Sequence, residues 1–266
     1  MYNTNYQRVS STDEATAAMD AAEDGKYVSG GQTLIPTMKQ RLAAPSDLID
    51  LRHIDAMKGI TVDGNQVTIG AATSHAEVAN SAELCEVCPS ICNLASHIGD
   101  PHVRNMGTIG GSVANNDPAA DYPAAMMALN AQIMTNKRTI DTDDFFTGMF
   151  ETALEEDEII TAVTFPAPAK AAYAKFPNPA SRYAMAGVFV AKLKNGMARV
   201  GVTGAGSDGV FRHEAMEEAL KSDWSVDAIA GAQVDEGDML SDIHGDGAYR
   251  ANLVKVMAKR AVEASQ

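Results

Sequence analysis

Residues 99–123 read GDPHVRNMGTIGGSVANNDPAADYP, and the reading of this stretch decides what the rest of the chain is for. It is dense in Gly, Asn, Asp and Pro and carries neither helical nor strand periodicity, so it is expected to be a long ordered loop. Apolar AAMMALNA (124–131), a helix, and QIMTN (132–136), a strand, follow it. A second stretch upstream resembles it in kind. After a short strand KYV, Ser29–Thr33 read SGGQT, and LIPTMKQRLAAP reads as a helix entered through Gln32 and Thr33. Each glycine pair, Gly30-Gly31 and Gly110-Gly111, is flanked by hydroxyl or amide side chains. Glycine lets a backbone approach a phosphate and aim N–H groups at it. Two such loops point to a pyrophosphate held between them. Neither is a Rossmann G-x-G-x-x-G nor a Walker loop, so a nicotinamide dinucleotide held in the usual way and a nucleoside triphosphate are not indicated.

Working outward, DEATAAMDAAED reads as a helix ended by Gly25, and DLIDL (47–51) as a strand of apolar-polar alternation. Two β-branched runs flank Asp63-Gly64-Asn65, a hairpin composition. A helix follows, capped by Thr73 or Ser74. EEDEIITAVTFP closes the first half with a strand. Pro166, Pro168, Pro177 and Pro179 mark a connecting segment, and thus a boundary between residues 1–168 (subdomains of about 1–55 and 56–168) and 169–266. Beyond it, RYAMAGVFVAKLKNGMARVGVTGAG reads as antiparallel strands turning at Asn195-Gly196, and the tail as three amphipathic helices.

The 266 residues carry 35 Asp and Glu against 21 Lys and Arg, a net charge of -14, which excludes a nucleic-acid footprint and disfavours an anionic membrane surface. No apolar run approaches the roughly 20 residues that span a bilayer, and the first residues lack a signal-peptide pattern, so the cytoplasm is the expected compartment. The three cysteines, Cys85, Cys88 and Cys92, do not form a disulfide framework on this reading. Their C-x2-C-x3-C spacing invites an iron–sulfur cluster, but no fourth cysteine exists; positions i, i+3 and i+7 place them on one buried helix face. The histidines are scattered singly, which argues against a metal site.

SGGQTLIPTMKQRLAAPSDLIDL together with the 99–131 stretch resembles the FAD-binding subunits of molybdenum hydroxylases, the xanthine dehydrogenase and carbon monoxide dehydrogenase type. The resemblance covers nearly the whole chain. It implies an α+β, PCMH-type FAD-binding fold of two α/β subdomains, followed by a C-terminal domain of a small antiparallel sheet and helices. It implies noncovalent FAD, with Ser29, Gly30, Gly31, Gln32 and Thr33 in one pyrophosphate loop and Thr108, Ile109, Gly110, Gly111 and Ser112 in the other. Gln32 stands where relatives often carry histidine. By motif position Asp121 would contact the flavin nucleotide, besides serving as a helix N-cap. Ile160, Lys175 and Tyr183 would lie near the cofactor, Tyr183 shielding the isoalloxazine; read from the residues alone, Lys175 is a solvated linker lysine and Tyr183 a core-packed strand residue. His97 and His102 lie outside the loops, so no covalent attachment is expected. The partners implied are a small iron–sulfur subunit and a large molybdopterin subunit, in a heterotrimer or its dimer, with electrons passing through FAD to an external acceptor. The alternative is a free-standing FAD oxidoreductase or flavin carrier.

Overall fold

The computed structural model describes residues 1–266. The chain first lays down β1 (Asn5–Arg8), α1 (Thr12–Ala21), β2 (Gly25–Val28), α2 (Leu34–Lys39) and β3 (Asp47–Asp50). These strands form a parallel sheet in the order β1-β3-β2. All four residues of β3 are buried, because a central parallel strand is covered on both faces. The alternation expected of DLID therefore does not mark an exposed side. Its end residue Asp50 is fully buried and bound by Arg52 Nε, Arg52 Nη2 and the Tyr6 hydroxyl. Helix α1 is capped by Ser11, whose side chain accepts from the Glu14 N–H, and stops at Ala22. Gly25 is not its cap, as expected, but the first residue of β2.

The second unit contains β4 (Ile60–Asp63), β5 (Gln66–Gly70), α3 (His75–Asn80), α4 (Ala82–Val87), α5 (Pro89–Ser96), α6 (Pro101–Met106), α7 (Ile109–Asn115) and α8 (Tyr122–Ala128). It continues with β6 (Gln132–Thr135), β7 (Thr139–Asp141), α9 (Thr142–Phe145), β8 (Phe146–Gly148), β9 (Glu151–Thr152) and β10 (Ile160–Pro166). Its main sheet runs β4-β5-β10-β6-β7, antiparallel throughout. The β4–β5 hairpin turns at Gly64, φ 58°, and Ser74 with Glu77 makes a full capping box on α3.

Two expectations fail here. The cysteines do not share one helix: Pro89 cannot continue α4, so the chain breaks at Cys88 and restarts as α5. A straight helix would set residues i and i+7 about 10 Å apart. The break instead brings Cys85 and Cys92 to a Cα separation of 5.7 Å, where they form a disulfide, and leaves Cys88 free and buried. Nor is 99–123 a loop, since it holds α6 and α7. Asp100 caps the first, accepting from the His102 and Val103 N–H groups with Pro101 at the first position, and Thr108 caps the second.

The third unit is a four-stranded antiparallel sheet of β11 (Lys170–Pro177), β12 (Ala184–Lys192), β13 (Ala198–Thr203) and β14 (Phe211–Arg212), with α10 (Glu214–Ser222) and α11 (Gly247–Ala264). The proline-rich segment is thus largely strand β11, not a linker; only Ala167–Ala169 connect the strands. The tail holds two α-helices and a single 3-10 turn at Glu236–Asp238 in place of three helices. One face of this sheet packs under α10 and α11 in a core that includes Val188, Val200, Leu220 and Val254. From its other face Tyr173, Phe189 and Leu193 join the core of the second unit, where every residue of α8 is buried.

Candidate functional site

The first glycine loop leaves the C-terminal end of β2, at the edge of the parallel sheet where ligands of open α/β sheets bind. Gly31 adopts φ 67°, which an L side chain resists. None of the N–H groups of Ser29, Gly30, Gly31, Gln32 or Thr33 has an acceptor within the protein. Five unpaired amides on a turning backbone are a nest for an anion. The Gln32 side chain folds back, its Nε2 donating to the Gly30 carbonyl at 3.0 Å.

The second loop differs from the expectation. Its amides are already paired: Ile109 to the Thr73 carbonyl, Gly110 to the Ala71 carbonyl, Gly111 to the Thr108 hydroxyl, and Ser112 to the Thr108 carbonyl. It is a capped helix start rather than a nest. Ile109 is fully buried in the core and does not line the cleft. The two glycines have separate uses. A Cβ on Gly110 would stand 2.5 Å from Ala71 Cβ, so this glycine seats α7 on the sheet, whereas a Cβ on Gly111 would enter the gap toward Ser29. The loops touch directly: Ser29 Oγ lies 2.9 Å from Thr108 Oγ1, and a Cβ on Gly30 would meet the Met106 carbonyl oxygen.

Between them opens a cleft of about 440 Å³. Ser29, Gly30, Gly31, Gln32, Thr33, Thr108, Gly110, Gly111, Ser112, Asp121, Ile160, Lys175 and Tyr183 all line it, leaving out only Ile109 among the residues expected there. Far apart in sequence, they are gathered by three sheets.

At its inner wall, Lys175 Nζ lies 3.0 Å from Asp121 Oδ1, and the Tyr173 hydroxyl donates to the same oxygen. All three groups are buried. Lys175 is therefore no solvated linker residue, and Asp121 opens α8 by position only, without a side-chain cap bond. Burial pushes the Asp121 carboxyl up, against the opposing pull of Lys175 and Tyr173. Tyr173 is held well above its ordinary value by burial and by the Asp121 carboxylate.

At the mouth stands Tyr183, 52% exposed and so not core-packed. A tight loop holds it: the Asn178 N–H donates to the Tyr183 carbonyl at 2.7 Å, and the Arg182 N–H to the Asn178 carbonyl at 2.8 Å.

Several cleft residues escaped the sequence reading. His75 lies under the second loop, its ring 5.3 Å from that of Tyr122. Burial, reinforced by Arg104, lowers its pKa to about 4, so it is neutral at pH 7. Glu158 hydrogen-bonds Arg138, which draws its pKa down to about 2. Tyr27, pushed up to about 12 by burial, and Leu51 complete the wall beneath the first loop. Glu158 and Ile159 adjoin Ile160 and were within reach of the sequence; His75 left no signal, since a lone histidine at a helix start has no distinguishing pattern.

An open nest, a second loop kept clear of side chains by Gly111, and a cleft continuing past both to a fixed cation and an aromatic ring suit a dinucleotide flavin. Comparison with known proteins agrees. The FAD binding domain in molybdopterin dehydrogenase matches residues 2–168. The medium subunit of nicotine 6-hydroxylase from Paenarthrobacter nicotinovorans is 33% identical, over 97% of this chain and 95% of that one. The medium chain of carbon monoxide dehydrogenase from Afipia carboxidovorans is 35% identical over the same shares, 97% and 95%. Among solved structures, reconstituted CO dehydrogenase from Oligotropha carboxidovorans superposes with a TM-score of 0.90 at 33% identity, covering 99% of this chain and 97% of that one. No helix is long and apolar enough to cross a membrane. The chain belongs to the FAD-binding subunits of the molybdenum hydroxylases, oxidoreductase components with a PCMH-type FAD domain.

Proposed function

We propose that this subunit holds one noncovalent FAD per chain and relays electrons from a small iron–sulfur subunit to an external acceptor. A large molybdopterin subunit carries out the substrate chemistry, the three forming a heterotrimer or its dimer. The observation that carries this reading is the convergence of the five unpaired amides at Ser29–Thr33 with Thr108, Gly111 and Ser112 on a single cleft. In this reading residues 1–168 cradle the cofactor and 169–266 supply Lys175 and Tyr183. FAD, when bound, supplies exchange between two-electron and one-electron steps.

The residues of this chain do the rest. The first loop donates to the pyrophosphate, and the Thr108–Ser29 contact fixes the spacing of the loops. Ile160 offers an apolar surface to the cofactor. Lys175 pairs with Asp121 in the wall and cancels a carboxylate that would disfavour the more negative reduced flavin. Tyr183 limits access at the mouth. The test is reconstitution of the purified chain with FAD or FMN, followed by acid extraction and potentiometry. The reading expects one extractable FAD per chain and little FMN. It also expects a midpoint potential that falls with Lys175→Met, which leaves the Asp121 charge unpaired, and recovers when Asp121→Asn is added. A protein that takes up no flavin, or prefers FMN, refutes it.

A further inference from the structure

The disulfide between Cys85 and Cys92 lies in a unit that has no need of a staple. Disulfides hold together domains too small to form a core, whereas the core around this one gathers 37 buried residues. We propose that Cys85–Cys92 is a thiol-exchange site, reduced by a small dithiol, and that its reduction weakens the hold of the chain on its flavin. The proposal rests on the flavin reading of the cleft and adds a redox control to it.

Three observations connect the bond to the cleft. The first is position. Cys92 lies in α5, and the residues that follow this helix enter the cleft wall: Ile98 and Gly99 line it, and the His97 carbonyl accepts from Lys175 Nζ at 3.4 Å. His97 is five residues beyond Cys92, about 7.5 Å along a helix. The Lys175 ammonium thus rests on the C-terminal end of α5, where free carbonyls carry partial negative charge. Helix α5 also packs on β11, the strand of Lys175, and on α3, whose first residue His75 lines the cleft.

The second is what the bond holds. Cys85 belongs to α4, which packs on β4, so the disulfide ties α5 to the β4 edge of the main sheet. Once reduced, the two sulfurs share no bond and must move apart. Cys92 is 6% exposed in a close-packed core, so the room it needs comes from a shift of α5. The third is access. Cys85 is half-buried whereas Cys88 and Cys92 are buried, so an external thiolate enters at Cys85. It attacks Cys85 Sγ, the S–S bond breaks, and Cys92 leaves as a thiolate that takes up a proton. The second thiol of the reductant then displaces Cys85. The dithiol is oxidised to its own disulfide, and two electrons and two protons pass to the cysteines. Cys88 does not compete as a nucleophile, because burial pushes its thiol up and keeps it protonated.

The test uses the full chain with and without dithiothreitol. FAD affinity is read by flavin fluorescence, and absorbance confirms that the flavin stays oxidised. Reduction should weaken FAD binding by about fivefold or more, the lower end of couplings between sites. By reciprocity, FAD should make the bond harder to reduce by the same factor, read as free thiols at a fixed ratio of dithiothreitol to its disulfide. A bond that only adds global stability would not respond to FAD in this way. Cys85→Ser with Cys92→Ser should bind FAD as the reduced chain does and ignore dithiothreitol, while Cys88→Ser should keep the parent's response. Equal FAD affinity in the oxidised and reduced parent, a response that survives loss of both Cys85 and Cys92, or one lost with Cys88, overturns the proposal and leaves the flavin reading standing. A chain that binds no FAD in either state overturns both.

Discussion

Adjacent residues Gly110 and Gly111 face opposite ways, and the difference is testable. Gly110 abuts Ala71, so Gly110→Val forces the α7 start off the sheet and should lower stability by about 1–3 kcal/mol or more, as overpacking does. Gly111 abuts only the Thr108 hydroxyl and the gap toward Ser29. Gly111→Val should therefore remove most of the bound flavin while shifting the melting temperature far less. Equal melting losses in the two variants would contradict this division. Lys175 and Asp121 act as a buried pair, 5% and 6% exposed at their side chains. Lys175→Met alone strands a buried carboxylate and should cost about 3–5 kcal/mol. Adding Asp121→Asn should recover most of that loss, measured as a double-mutant cycle by chemical denaturation. Tyr183 is half exposed, so Tyr183→Ala should leave stability nearly unchanged and alter the rate at which an acceptor reoxidises the flavin.

Among the elements, the break between α4 and α5 has the clearest consequence. The disulfide closes a short loop, for which the chain-entropy argument gives about 2–3 kcal/mol. Thiol titration of the denatured, unreduced chain should find one thiol, Cys88, and three after reduction. Cys85→Ala should lower stability by roughly that loop term, and a titre of three thiols before reduction would refute the pairing. The signal was present in sequence, since Pro89 forbids a continuous helix across the cysteines; the periodicity of i, i+3 and i+7 simply carried less information than one proline. The same lesson applies to α6 and α7. Their caps, Asp100-Pro101 and Thr108, stood in the sequence, but helices of six and seven residues are too short for an apolar period to emerge above the glycines.

For the whole molecule, acid sensitivity follows from two cleft residues. His75 is buried neutral, its pKa lowered from 6.5 to about 4. Between those values the unfolded chain binds a proton there that the folded chain does not, so stability falls as pH drops from about 6.5 to about 4. Glu158, lowered from 4.5 to about 2, is stabilising above its unfolded value and loses that contribution as pH falls from about 4.5 to about 2. Denaturation midpoints across this range should decline in two stages. His75→Gln should flatten the upper stage and leave the lower one. An unchanged slope between pH 6.5 and 4 in that variant would rule out His75 as the group responsible.

The sequence by itself determined the class of the protein: two glycine loops in a fixed order, the hairpin at Gly64, the strands turning at Gly196, and thirteen of the 34 residues that line the cleft. Those signals are local, because a turn needs its glycine and a cap its hydroxyl wherever the chain goes next. Tertiary structure alone decided what each did. In the second loop the Ile109 and Gly110 amides pair with Thr73 and Ala71, 36 and 39 positions earlier, and the Gly111 and Ser112 amides with Thr108, and so the anion nest lies in the first loop only. Lys175, which reads as a linker lysine, became a buried ion-pair partner because its side chain reaches from β11 to Asp121, 54 residues away. Burial and pairing belong to the packed whole, and no window of sequence contains both partners.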